Sequence, residues 1–100
     1  MHTEQSQAMR PTPDLALLHA LAAELKARRS TLGIPQEELA HRAGLSRTFI
    51  GRLEISATQP SLTALFALAR ALEVTPEVLI ASVAVRHRKE LRITARTARH

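Results

Sequence analysis

The segment from residue 36 to residue 54 constrains the fold most, because it places two short helical patterns about three residues apart. Residues 36–43 have an acidic first turn and an apolar face. Gly44 follows, at a position where a helix C-terminus favours a left-handed residue. Ser46 is a suitable N-cap for a second helix that runs to about residue 54. The segment therefore predicts two helices joined by a tight turn, which is the helix-turn-helix arrangement.

Three further segments have the pattern of amphipathic helices. One begins after Asp14 and ends at Gly33, another follows Ser61, and the last follows Thr75. The predicted inward-facing residues are Leu15, Leu18, Leu21, Ala22 and Leu25 in the first of these helices, and Leu62, Leu65, Phe66, Ala69 and Leu72 in the second. No strand alternation appears before residue 80. The sequence thus predicts an all-α, compact five-helix domain over residues 14–85.

The positive charge is concentrated at the C-terminal end. The chain has 100 residues and a formal net charge of +5, yet residues 1–85 hold eight basic and eight acidic residues. Residues 86–100 hold six basic residues and one acidic residue. We expect this basic C-terminal tail either to add non-specific phosphate affinity or to form a solubilising, disordered end. Residues 92–97 fit a frayed helix, a short strand or disorder, and residues 1–13 are expected to form a disordered N-terminal arm.

The residues required by most enzymes and metal sites are missing. The chain has no cysteine, and its five histidines have no metal-ligand spacing. Glu37 and Glu38 are adjacent, so they point about 100° apart on a helix and do not form a catalytic pair. Ser46 has no histidine base at a recognisable offset. We expect no enzyme activity, no cofactor, no metal and no small-molecule ligand.

Targeting signals are also missing from the sequence. Residues 1–13 are polar, and the longest apolar run, residues 78–85, is interrupted by Ser82 and falls far short of the roughly 20 residues of a membrane span. A soluble protein of the cytoplasm is expected.

The second helix of the 36–54 segment has an outer face suited to duplex DNA. Thr48 and Gly51 point away from the predicted core and are flanked by Arg47 and Arg52. A mid-helix glycine costs about 1 kcal/mol relative to alanine, which suggests that a partner approaches the backbone closely. The major groove admits a helix, arginine pairs with guanine edges, and threonine contacts a thymine methyl group. The alternative is an ordinary solvated face.

Five short motifs follow one another in register through the centre of the chain. They are Leu32–Ala40, Ala43–Arg47, Leu53–Glu54, Gln59–Leu62 and Ala69–Leu72. With these motifs, residues 25–80 resemble the Cro/lambda-repressor-type helix-turn-helix domain of XRE-family transcriptional regulators. The resemblance implies a lambda-repressor-like domain that binds duplex DNA, commonly as a homodimer on a near-palindromic operator.

The resemblance also implies roles for individual residues. Gln36 would meet the DNA backbone or an adjacent base, and the major-groove positions are occupied by Ser46, Arg47, Thr48 and Arg52. Two departures from the family pattern stand out. Pro35 replaces the usual hydroxyl or amide cap, and residues 55–57 lack the usual glycine and phosphate-binding cation.

Arg29 and Glu54 are predicted to form an ion pair. Arg29 falls on the apolar stripe of the first helix and Glu54 falls beside the stripe of the third. Charges directed toward a core are rarely left unpaired, and the family pattern implies the same pair. The alternative is that both side chains extend to water.

The leading hypothesis is a sequence-specific DNA-binding transcriptional regulator, most simply a repressor, whose recognition helix spans residues 46–54. A phage-type repressor, a restriction controller and an antitoxin-type regulator all fit within this class. A helical protein-interaction module that uses the fifth helix and the tail is the alternative outside it. The apolar residues of segment 78–85 exceed what one helix face needs, so they either extend the core or form a homodimer patch.

Overall fold

A computed structural model describes residues 12–98, and within them the chain forms five α-helices and no strands. The helices are α1 (Leu15–Leu32), α2 (Gln36–Ala43), α3 (Arg47–Glu54), α4 (Leu62–Ala71) and α5 (Pro76–Ala98). The expected all-α, five-helix fold is confirmed. The predicted N-terminal arm lies outside the described residues except for its last two positions. None of the helices in the described part is long and apolar enough to cross a membrane.

The predicted capping residues define where the helices begin. Asp14, Ser46 and Ser61 each accept a hydrogen bond at 3.0 Å from the backbone N–H three residues ahead, and Thr75 accepts the equivalent bond at 3.2 Å. Pro35 precedes α2 without a side-chain cap. The bond from the Leu17 N–H also holds the pKa of the Asp14 carboxyl below its ordinary value.

Two glycines end α1 and α2 in the left-handed conformation. Gly33 and Gly44 both have φ of 68°. After each, the chain closes a bond back onto the last helical turn, from Ile34 N to Arg29 O at 3.2 Å and from Leu45 N to Ala40 O at 2.9 Å. The second of these bonds fixes the sharp turn between α2 and α3 that the sequence predicts.

The core collects buried leucines from all five helices. The largest fully buried side chains are Leu25, Leu39, Ile50, Leu53, Leu68 and Leu79. The predicted face of α1 is correct except at its first position, because Leu15 lies at the N-terminal end of the helix and is exposed.

The predicted inward face of α4 is partly wrong. Leu62 and Phe66 were expected to face the core, but they are 68% and 49% exposed. Ala64 and Leu68 are buried instead, together with Ala69. Because α4 is apolar on almost every side, its own sequence does not determine its rotation, and packing against α2 and α5 decides which side is covered.

The predicted division at residue 85 falls in the middle of a helix. α5 continues without a break from Pro76 to Ala98, and residues 92–97 are helical. Leu79 and Val83 face the core, so part of the apolar excess in segment 78–85 extends the core, while Val78, Ile80 and Val85 remain exposed. The basic segment is therefore a continuation of the domain's last helix as far as the structure describes it.

Candidate nucleic-acid interface

Helix α3 has one buried face and one open face. Ile50 and Leu53 are buried in the core. On the opposite side Arg47, Thr48 and Arg52 are exposed to solvent. None of these three side chains has a hydrogen-bonding or ion-pair partner within residues 12–98. Both arginines are thus available to bind an anion or a base edge.

A buried ion pair anchors the C-terminal end of α3. Arg29 Nε lies 2.8 Å from Glu54 Oε2, and Arg29 Nη2 lies 2.9 Å from Glu54 Oε1, so the pair is bidentate. Arg29 Nη1 also donates to the Ile34 carbonyl at 2.9 Å. The pair expected from the sequence is therefore present, and it ties α1 to α3.

The electrostatics of Glu54 favour its charged form. Burial pushes the pKa of this carboxyl upward, but the hydrogen bonds from Arg29 and Gln36 outweigh burial, so the pKa lies below its ordinary value. The carboxylate consequently stays charged and holds both partners at neutral pH.

Gln36 and Gly51 face each other across the contact between α2 and α3. Gln36 Nε2 donates to Glu54 Oε1 at 3.0 Å, while a Cβ atom built on Gly51 would lie 3.6 Å from Gln36 Oε1. Both residues are half-buried, and Gly51 is therefore less open than the sequence analysis expected. The side chain that approaches this glycine within the protein is Gln36. The predicted DNA contacts of both residues remain predictions.

Gly51→Ala separates a structural role of the glycine from a DNA-binding role. The added Cβ makes only ordinary van der Waals contact, so the free energy of unfolding is expected to rise by about 1 kcal/mol through helix propensity. If Gly51 contacts DNA as the sequence predicts, affinity for the preferred DNA site is expected to fall, because the added methyl group would stand between α3 and the DNA. Chemical denaturation and DNA titration measure the two effects. A stabilised protein with unchanged affinity would contradict the DNA-binding role.

The loop after α3 departs from the family pattern at residues 55–57, where the sequence lacks the usual glycine and cation. Ser56 adopts φ of 62°, a left-handed conformation that glycine takes at lower cost, at the position where the family pattern has glycine. Ile55 is 74% exposed, and residues 55–60 contain no cation. This loop therefore offers no side-chain charge to a phosphate.

A second ion-pair cluster, centred on one buried glutamate, was missed by the sequence analysis. Glu24 on α1 is buried and receives Nε donors from Arg28 and, at 2.7 Å, from Arg86 on α5. Arg28 also donates to Ser82 Oγ at 3.0 Å. The sequence did contain a signal for it, because Glu24 interrupts the apolar stripe of α1 between Leu21 and Leu25. Arg29 interrupts the same stripe farther along the helix. The cluster fastens α5 to α1, away from α3.

The comparison with known proteins agrees with this geometry. A family model described as helix-turn-helix matches residues 25–79, which is more than half of the chain. The chain belongs to the helix-turn-helix family. Membership makes it a DNA-binding transcriptional regulator of the XRE type rather than an enzyme. No curated protein sequence matches it significantly. Among residues 12–98, no group of side chains is arranged to hold a metal ion.

Solved structures of other helix-turn-helix regulators are similar to the chain. The restriction-modification controller protein C.AhdI from Aeromonas hydrophila has 34% sequence identity, covers 62% of this chain and 94% of its own, and gives a TM-score of 0.60. The controller C.Esp1396I was solved as a tetramer in complex with its natural 35 base-pair operator. It has 27% sequence identity, covers 71% of this chain and 93% of its own, and gives a TM-score of 0.66. The clp gene regulator ClgR from Corynebacterium glutamicum shares the fold at 23% identity, with coverage of 88% and 92% and a TM-score of 0.73.

Proposed function

We propose that this protein binds a specific duplex DNA sequence as a homodimer, with α3 in the major groove, and acts as a transcriptional repressor in the cytoplasm. The observation that carries the proposal is the open face of α3: Arg47, Thr48 and Arg52 are exposed and have no partner among residues 12–98, while Ile50 and Leu53 on the other side are buried in the core. Arginine distinguishes guanine by bidentate contacts, and threonine contacts a thymine methyl group.

The N-terminal ends of α2 and α3 supply the supporting contacts. Ser46 Oγ accepts from Phe49 N at 3.0 Å, which leaves its hydroxyl hydrogen available to donate to a phosphate. Gln36 keeps its Oε1 atom beside Gly51 while Nε2 is held by Glu54. We propose that Gln36 uses this oxygen or its backbone N–H at the edge of the groove.

Selection of bound sequences from a random duplex pool tests the proposal. We expect a near-palindromic site whose half-sites are separated by about 34 Å, one turn of B-DNA, because a two-fold dimer presents two α3 helices to successive major grooves. Recovery of no preferred sequence would contradict the proposal, and a single unrepeated half-site would contradict the dimer.

We further propose that the homodimer forms over an apolar groove between α1, α5 and the loop before α4. The groove encloses about 290 Å³ and is lined by Leu17, Leu21, Pro60, Leu65, Ile80 and Val83. Ile80 is 47% exposed at its edge, so each copy offers both an apolar projection and a recess, as a two-fold contact requires. An oligomer also binds the operator in the C.Esp1396I complex.

Ile80→Asp is expected to separate the dimer. A buried unpaired carboxylate at an interface hot spot costs about 2 kcal/mol or more, which raises the dimer dissociation constant about 30-fold. Sedimentation over a concentration series measures the change. Val78→Asp is the matched control, because Val78 is similarly exposed on the same helix but points roughly 160° away from Ile80. Equal effects of the two substitutions would contradict this interface.

A restriction-modification controller is the second candidate function. It is favoured by the 34% identity to C.AhdI over 94% of that chain. Finding the selected operator upstream of restriction and methyltransferase genes would support it, whereas an operator elsewhere would favour a regulator of other genes.

A further inference from the structure

Four basic side chains share one side of the distal half of α5. They are Arg88, Lys89, Arg92 and Arg96, and all are exposed. At 100° and 1.5 Å per residue they cover an arc of roughly 100° and a length of about 12 Å. No acidic residue interrupts this arc, which we call the α5 basic face.

The other side of the same helix segment is fastened to α1. Besides the Arg86–Glu24 contact, His87 Nε2 lies 3.0 Å from Asp14 Oδ2, and Glu90 Oε1 lies 3.9 Å from His19 Nδ1. These contacts hold the helix in a fixed rotation. As a result Arg88, Arg92 and Arg96 lie on the side away from α1, and Lys89 lies at the edge of the α5 basic face, beside a groove shared with α1.

The α5 basic face brings together like charges that no ion pair within residues 12–98 offsets. Arg88, Arg92 and Arg96 follow one another at i,i+4 spacing, where like charges destabilise a helix. None of the face's four cations has an ion-pair partner within residues 12–98, whereas Arg28, Arg29 and Arg42 are each paired with a glutamate. An anionic ligand would relieve this repulsion.

The α5 basic face lies apart from the recognition helix. α5 packs against α1 and α4, whereas α3 packs against α1 and α2. Contacts made by this face are therefore additional to those of α3.

We propose that the α5 basic face binds the phosphate backbone of duplex DNA, independently of sequence and outside the base pairs that α3 contacts. This inference rests on the proposed function in one respect: it takes duplex DNA to be the anionic ligand of this protein. Guanidinium groups suit phosphate because they donate two parallel hydrogen bonds. A helix fixed by its opposite side presents three arginines without the cost of ordering a flexible tail.

The salt dependence of binding to a random-sequence duplex tests this inference. Arg88→Gln with Arg92→Gln removes two cations, and each neutralised phosphate contributes about 0.9 to the slope of log K against log salt. We expect the slope to fall by about 1.8 per protomer, which is about a 12-fold change in the affinity ratio between 50 and 200 mM salt. Circular dichroism checks that the helix is retained.

A matched control removes two exposed cations that lie elsewhere. Lys26→Gln with Arg70→Gln gives the same change in net charge, and it should leave the slope nearly unchanged. Equal slopes for wild type and the Arg88/Arg92 variant would overturn the inference, as would equal losses in both double variants. An acidic protein surface would then be the better ligand for this face.

The two proposals fail in different ways. If the protein selects an operator but the Arg88/Arg92 variant keeps the wild-type slope, the proposed function stands and this inference is wrong. If no sequence preference is found but the variant loses slope on random duplex, the α5 basic face binds phosphate and the sequence-specific function is wrong.

Discussion

Replacing Glu54 with alanine is expected to lower the free energy of unfolding by about 3 kcal/mol, because it leaves the half-buried Arg29 guanidinium with only the Ile34 carbonyl as a partner. Glu54 is only 3% exposed, and its carboxylate accepts hydrogen bonds from Nε and Nη2 of Arg29 and from Nε2 of Gln36. One substitution therefore disconnects α1, α2 and α3 at their common contact. Urea denaturation followed by circular dichroism measures the loss.

Glu38→Ala is the matched control for this prediction. Glu38 also accepts from an arginine, at 2.9 Å from Arg42 Nε, but this pair is exposed and joins residues of one helix. Exposed pairs of this spacing contribute about 0.3–0.5 kcal/mol. A Glu54→Ala protein no less stable than Glu38→Ala would show that the buried pair does not hold the helices together.

Acid unfolding provides an independent measure of the same pair. The pKa of Glu54 and of Glu24 is lowered in the folded protein: burial opposes the shift, but hydrogen bonds from their arginine partners outweigh it. A carboxyl whose folded pKa is depressed adds stability above its unfolded pKa, about 4.3 for glutamate, and loses it as the pH falls through the folded value. The free energy of unfolding of the wild-type protein should therefore decrease as the pH is lowered from about 4.3. The decrease should be smaller for Glu54→Ala.

The features predicted from the sequence are those decided by neighbouring residues. An N-cap bonds to an amide three residues away, and Gly33 and Gly44 adopt a conformation that few other residues tolerate. Arg29 and Glu54 were predictable for a related reason, because each interrupts an apolar face of its own helix. Such signals do not depend on how the helices are arranged in space.

The features that the sequence did not predict depend on distant partners. The rotation of α4 is set by α2 and α5, and an almost wholly apolar helix records no preference for either side. Residues 86–98 read as a tail because their contacts with α1 are polar: Arg86 meets Glu24, and His87 meets Asp14, 73 positions away. Gln36 likewise bonds to Glu54, so a residue expected only at the DNA surface also supports the surface from within.

Replacing Arg47 with alanine is expected to weaken binding to the selected operator by about 1–3 kcal/mol, or roughly 5- to 150-fold, and to relax base preference at one position of each half-site. Arg47 is the first residue of α3, is exposed, and has no partner within residues 12–98. Its removal leaves the fold intact and takes away a bidentate donor. Competition titrations with operators altered at single positions measure both effects at fixed salt.

Arg42→Ala is the control for the loss of one arginine next to the turn. Arg42 lies in the last turn of α2 and is held by Glu38 and by Glu73, at 3.3 Å from its Oε2 atom, so its charge is already neutralised within the protein. Its removal is expected to change operator affinity less than about threefold, since it contributes little net attraction to phosphate.

The double variant with Arg47→Ala and Arg52→Ala should lose nearly all sequence preference. Unchanged affinity in that variant would mean that α3 does not enter the groove and that the protein works through its fifth helix as an interaction module.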